Sequence, residues 1–75
     1  MRYLAQFRRL GSIDFENDPP AWNEQADAEM YTTRIVKRCH IYASGRVMDT
    51  TTRNIVFFYD RYNGEMEIKN VPPIP

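Results

Sequence analysis

The chain of 75 residues is long enough for one small domain, in which folding buries only about 60% of the surface that the unfolded chain exposes. This size disfavours a deep enclosed pocket, and hence a complete metabolic enzyme acting alone, and it favours a surface-binding module or an oligomer. The formal net charge is zero, and the 43% hydrophobic and 13% aromatic residues predict a folded globule.

Cys39 is the only cysteine, so no internal disulfide can form, and a cytoplasmic location is the expectation. No stretch approaches the roughly 18–20 consecutive apolar residues of a membrane span. Charges at Arg2, Arg8 and Arg9 interrupt any apolar core of a signal peptide. The sequence therefore predicts no membrane partner.

The first ten residues alternate between apolar and polar side chains. This alternation predicts a strand in which the odd-numbered residues from Met1 to Phe7 share one face. A short helix ending at Gly11 is the alternative.

A helix is predicted over residues 19–30. Asp18 is a favoured N-cap, and the two prolines that follow it suit a first helical turn. Trp22, Ala26 and Met30 recur every four residues and would form the apolar face of this helix.

The remaining segments predict strands. Residues 31–43 are rich in β-branched and aromatic side chains, and Ser44-Gly45 is a candidate turn into a second long strand, with a bulge or bend near Asp49. Asn63-Gly64 is a strong hairpin signal before a last strand that would end at Val71.

These segments predict an α+β fold with a small antiparallel sheet. The sheet would have about four strands, in the order β-α-β-β-β, with one helix packed on one face. Residues 1–71 would form a single domain and residues 72–75 a proline-rich C-terminal tail. A single helix covers only one side of a sheet, so the other side would meet water or a partner.

Charge is distributed unevenly along the chain. Residues 1–11 carry +3, residues 12–30 carry −6, residues 31–53 carry +4 and residues 54–75 carry −1. The acidic segment could pair with the chain's own basic strands, although such surface pairs contribute only about 0–1 kcal/mol each. Alternatively, it could steer a basic partner.

The sequence carries no recognisable catalytic, metal or cofactor signature. On a strand, Cys39 and His40 would point to opposite faces and could not form a nucleophile–base pair, and one cysteine with one histidine falls short of a zinc site. Carboxylates near the Asn63-Gly64 turn are predicted to be solvated. The prediction is that the chain is not an enzyme and needs no cofactor and no metal.

Three functional hypotheses follow. The leading one is a non-enzymatic protein-binding module, an inhibitor or adaptor in the style of phage and mobile-element accessory proteins, which binds a basic surface of its partner. Its candidate contact residues are Asp14, Glu16, Asp18, Trp22, Glu24, Asp27 and Glu29.

The alternative is a small single-stranded nucleic-acid-binding module that uses an Arg/Tyr sheet face. Its candidate residues are Arg2, Arg8, Arg34, Arg38, His40 and Tyr42. The third hypothesis is an enzyme completed only across a homo-oligomer interface.

Overall fold

A computed structural model describes residues 1–68, and the predicted proline-rich tail at 72–75 lies outside this range. Its elements are β1 (Tyr3–Arg9), β2 (Phe15–Trp22), α1 (Gln25–Arg38), β3 (Tyr42–Asp49), β4 (Asn54–Asp60) and β5 (Gly64–Met66). The strands form one antiparallel sheet in the order β2-β1-β3-β4-β5. The predicted α+β class, with one helix on one face of an antiparallel sheet, is confirmed, and the sheet has one strand more than expected.

The additional strand is β2, in the segment where the helix was predicted to begin. It pairs with β1 at the edge of the sheet, from Arg8 opposite Phe15 to Tyr3 opposite Trp22. Proline is tolerated on an edge strand because its missing N–H removes no bond from the interior of the ladder. The prolines at 19 and 20, joined by a cis peptide bond, therefore lie in a strand, and the predicted helix start is wrong.

Helix α1 occupies most of the segment that was predicted as a strand over residues 31–43. Ala28, Thr32 and Val36 are fully buried and recur every four residues along the helix. A β-branched residue costs a helix only a few tenths of a kcal/mol, whereas burial of an apolar side chain contributes about 1.5–3 kcal/mol. Packing against the sheet therefore outweighs local strand propensity.

The predicted turn at Ser44-Gly45 is also wrong, because both residues lie inside β3. A Cβ atom at Gly45 would come within 2.7 Å of the Thr32 Cγ2 methyl and 3.0 Å of the Phe7 ring. Glycine at this position lets the helix approach β3 closely. The chain reverses instead at residues 50–53, where Arg53 has a φ of 65°.

A hairpin forms next to the predicted Asn63-Gly64 turn, but its loop spans residues 61–63, and β5 ends at Met66, short of the predicted end at Val71, which lies outside the described residues. Strand β5 pairs with β4, with Asp60 opposite Gly64, and Gly64 has a φ of 76°. The Asp60 Oδ2 accepts hydrogen bonds from the backbone N–H groups of Tyr62 and Asn63, at 3.0 and 3.1 Å, and so orders the loop.

The core lies between α1 and the sheet. Its buried side chains include Ala5, Phe7, Ala28, Val36, Val47 and Phe57. No element within residues 1–68 covers the other side of the sheet, called the open face below. By register, the open face carries Leu4, Gln6, Arg8, Phe15, Asn17, Ser44, Arg46, Met48, Ile55, Phe58, Asp60 and Met66.

Candidate interaction surfaces

The acidic segment folds into a surface on the β2 side of α1. This acidic flank consists of Asp14, Glu16, Asp18, Glu24 and Asp27. Glu24 and Asp27 share a helical stripe with Tyr31, whose hydroxyl donates a hydrogen bond to the Asp18 carboxylate on β2. That contact turns this stripe of the helix towards the edge strand, so carboxylates from both elements face the same side.

The flank is mostly without cationic partners. Within residues 1–68, the salt bridges are Arg2–Asp49 at 2.7 Å and Arg9–Glu16 at 3.5 Å, and both side chains of the second pair are exposed. Glu16 is therefore the one acid of segment 12–30 that pairs with a base in this part of the chain. Internal charge pairing accounts for little of the acidity.

The Tyr31–Asp18 hydrogen bond has an electrostatic consequence. It favours the protonated phenol and, together with burial, raises the pKa of Tyr31 to about 12. Tyr31 therefore stays neutral at physiological pH and serves as the donor that fixes the helix against β2.

Trp22 and Glu29 differ from the other predicted protein-binding residues. Trp22 is half-buried, packs against the cluster of Ala28, Val47 and Phe57, and has its ring centroid 5.3 Å from that of Tyr31. It belongs to the core more than to the contact surface. Glu29 accepts a hydrogen bond from Gln25 at 2.7 Å and lines a groove on the opposite flank of the helix.

The predicted Arg/Tyr sheet face does not form as a single surface. Arg34 and Arg38 lie on α1, and His40 lies in the turn that follows, because the segment expected to be a strand is helical. Tyr42 packs in the core with its ring centroid 5.1 Å from that of Phe7. Of the six predicted residues, only Arg8 lies on the open face.

Arg2, the remaining residue of that set, makes a bidentate contact with the Asp49 carboxylate. Its Nε and Nη2 donate to the two Asp49 carboxylate oxygens at 2.8 and 2.7 Å. This arrangement lowers the pKa of Asp49 to about 2. Arg2 is thus engaged in holding the start of β1 to the end of β3.

A second guanidinium on the open face belongs to Arg46, which the sequence predictions did not include. Its Nε donates to Gln6 Oε1 at 2.8 Å, and its Cζ lies 3.9 Å from the centroid of the Phe15 ring. The Phe15 centroid is 6.0 Å from that of Phe58. Correct placement of the β3–β4 turn would have put Arg46 and Phe58 opposite each other in register.

Both open-face arginines lack a carboxylate partner among the residues described. Arg8 Nε donates to Ser44 Oγ at 3.3 Å and its Nη1 to the Ser12 carbonyl at 2.8 Å. Burial lowers the pKa of Arg46, because a guanidinium beside an aromatic ring loses hydration that no anion replaces. The face therefore combines two uncompensated cations with two half-exposed phenyl rings.

A groove of about 580 Å³ lies on the other flank of α1, between the helix and strands β4 and β5. Its floor includes Ala26, Met30 and Phe57, and Arg34, Lys37 and Arg38 supply positive charge along one wall. The groove exists because α1 packs mainly over β1 and β3, which leaves the helix side of β4 and β5 only partly covered.

Over the described range, no three His, Cys, Asp or Glu side chains are grouped so that they could hold a metal ion. No helix in residues 1–68 has the length and apolar character needed to cross a membrane.

Comparisons with protein-family models, curated proteins and solved structures found no match for this chain.

Proposed function

We propose that this chain is a non-enzymatic protein-binding module that contacts a basic surface of its partner through the acidic flank. An inhibitor or adaptor of the phage or mobile-element type fits this proposal. The observation that carries it is the absence, within residues 1–68, of a cationic partner for Asp14, Asp18, Glu24 and Asp27.

The physical argument is electrostatic. Unpaired carboxylates on neighbouring elements repel one another slightly and give the domain no stability through ion pairs. The same carboxylates create a local negative potential that attracts and orients a basic partner and can raise the association rate. The zero net charge of the chain leaves this local potential as the main steering field.

The test removes two charges from each flank of α1 in matched variants. Glu24→Gln/Asp27→Asn neutralises the acidic flank, and Glu29→Gln/Glu65→Gln removes the same charge on the groove side. Each protein is used to capture partners from a cytoplasmic extract, and the binding kinetics of any purified partner are measured at low and high salt. We expect capture and association rate to fall for the first variant only, and the wild-type rate to fall with added salt.

Equal capture by the wild type and both variants would contradict the proposal. Circular dichroism before capture separates loss of binding from loss of folding. The charge-neutral substitutions keep cations away from the start of α1, where they would oppose the helix dipole.

A second candidate function, binding of single-stranded nucleic acid, is supported by the open face. Arg8 and Arg46 supply two cations without carboxylate partners in the described part of the chain. Phe58 supplies a half-exposed ring on which a base could stack, while the Phe15 ring already packs against the Arg46 guanidinium. The affinity for a mixed-sequence oligonucleotide should fall steeply with salt, and Arg46→Met should reduce that slope. Arg53→Met, outside the open face, is the control. Weak binding without salt dependence would exclude this function.

A further inference from the structure

The groove between α1 and strands β4 and β5 is an interaction surface separate from the acidic flank. Its volume of about 580 Å³ falls within the range of roughly 300–1,000 Å³ that is typical of sites for small ligands. Its apolar floor at Ala26 faces away from Glu24 across α1, whereas Arg34 continues the helical stripe of Asp27 two turns further along the helix.

The floor of the groove provides an apolar contact. Met30 is 61% exposed although it sits beside Phe57, which is only 6% exposed and belongs to the core. A thioether side chain is flexible and polarisable, and it adapts to apolar ligands of different shape. The floor therefore suits one aliphatic or aromatic side chain of a partner.

The wall of the groove provides positive charge. Arg34, Lys37 and Arg38 are exposed, and none lies within salt-bridge distance of a carboxylate in residues 1–68. The helix dipole favours cations at Lys37 and Arg38 in the last turn, but it does not account for Arg34 one turn earlier. Lys37 Nζ lies 5.8 Å from the centroid of the Tyr59 ring, which places its ammonium at the end of the groove.

These observations define the chemistry of the occupant. We infer that the groove binds a short acidic peptide segment of a partner protein, with one apolar side chain on Met30 and Phe57 and carboxylates against Arg34, Lys37 and Arg38. The inference does not depend on the acidic flank and adds a second contact of opposite charge.

A peptide fits the groove better than a nucleic acid. Glu29 and Glu65 also line the groove and would repel a continuous phosphate backbone, whereas a peptide can place neutral residues beside them. The one aromatic ring that lines the groove within residues 1–68, that of Phe57, is buried, so bases have little surface on which to stack.

The experiment screens a display library of short random peptides for binding to the immobilised wild-type protein. Peptides that also bind the Arg34→Glu/Arg38→Glu variant are removed by counter-selection. We expect the selected peptides to be enriched in Asp and Glu next to one Leu, Ile, Met or Phe. A labelled peptide from this pool should bind the double variant about tenfold more weakly, because exposed ion pairs each contribute modestly and reversal adds repulsion. Arg53→Glu, which reverses one cation outside the groove, should keep wild-type affinity.

Three outcomes would overturn the inference. The selection could return no binders, or binders that are basic or lack the apolar residue. A single-stranded oligonucleotide could bind with the same dependence on Arg34 and Arg38, which would assign the wall to polyanions. Self-association that is lost in the double variant would assign the groove to a second copy of the chain.

Two further variants separate this inference from the proposed function. Met30→Ser should weaken the labelled peptide while leaving folding intact, because Met30 is exposed. Glu24→Gln/Asp27→Asn should leave peptide affinity unchanged. A failed peptide selection would therefore not contradict the acidic-flank proposal, and a failed partner capture would not contradict the groove inference.

Discussion

The two faces of the sheet differ in polarity and, where α1 lies closest, also in the size of their side chains. On the helix side, Ala5, Ala43 and Gly45 occupy the central strands β1 and β3, where α1 lies closest. On the open face, the neighbouring positions carry Gln6 and Arg46. Small residues permit close approach of a helix, and long residues fill the space where no second layer is present.

The small side chains on the central strands determine where α1 packs on the sheet. Thr32 of α1 is fully buried above Gly45. Its hydroxyl donates to the Ala28 carbonyl at 2.8 Å, so the buried hydroxyl keeps a hydrogen-bond partner. Towards β4 and β5 the helix covers the sheet only partly, which leaves the groove.

Adjacent phenylalanines on β4 provide the largest test of this difference. Phe57 is 6% exposed under α1, and Phe58 is half-exposed on the open face. We expect Phe57→Ala to lower the free energy of unfolding by about 3–5 kcal/mol. Phe58→Ala should cost only about 1 kcal/mol.

Urea denaturation of both variants measures the two costs. If Phe57→Ala prevents folding, the pair Phe57→Leu and Phe58→Leu gives the same comparison with smaller changes. Equal costs at the two positions would mean that the open face is as tightly packed as the core, which would contradict the assignment of one covered and one open face.

Gly45 tests the close approach of the helix. An alanine Cβ would meet the Thr32 Cγ2 methyl at 2.7 Å, and such overpacking costs about 1–3 kcal/mol. Thr32→Ser removes that methyl and keeps the hydroxyl, so Gly45→Ala/Thr32→Ser should lose less stability than the sum of the two single variants. Additive losses in this double-mutant cycle would show that the two residues do not touch.

The sequence was sufficient for the fold class and for the segments whose local signals agree with the tertiary structure. Strand β1 follows from alternation, and the last hairpin follows from Asn63-Gly64, because both signals act within a few residues. The segregation of acidic and basic residues along the chain was also visible in the sequence.

The helix boundary could not be predicted because two local signals conflicted with a long-range one. Asp18 and the prolines resembled a helix start, and Thr32, Thr33, Ile35 and Val36 favoured a strand. The periodicity of Ala28, Thr32 and Val36 indicates a helix, but its weight depends on a close-approach site at Gly45 on a strand that follows.

The misassigned helix also misplaced the candidate interaction surfaces. Once residues 31–38 were assigned to a strand, Arg34 and Arg38 moved to a sheet face, and the groove on α1 could not be anticipated. Arg46 was missed because the predicted turn at Ser44-Gly45 placed it next to a loop. Register, which only the assembled sheet defines, sets which charges lie together.

The smallest expected effect concerns the hydrogen bond that closes the acidic flank. Tyr31→Phe removes the donor to Asp18 and should lower the free energy of unfolding by about 1 kcal/mol at neutral pH. Because the folded-state pKa of Tyr31 is raised from 10.0 to about 12, its contribution is complete below pH 10 and is lost as the pH rises towards 12. Urea denaturation at neutral pH and near pH 12 should therefore show that the unfolding free energies of the wild type and Tyr31→Phe become equal as the pH rises. Tyr62→Phe, whose side chain is 76% exposed, should match the wild type throughout. A constant gap between wild type and Tyr31→Phe across this range would mean that the phenol proton is not held by Asp18, and that helix packing alone aligns the carboxylates of the flank.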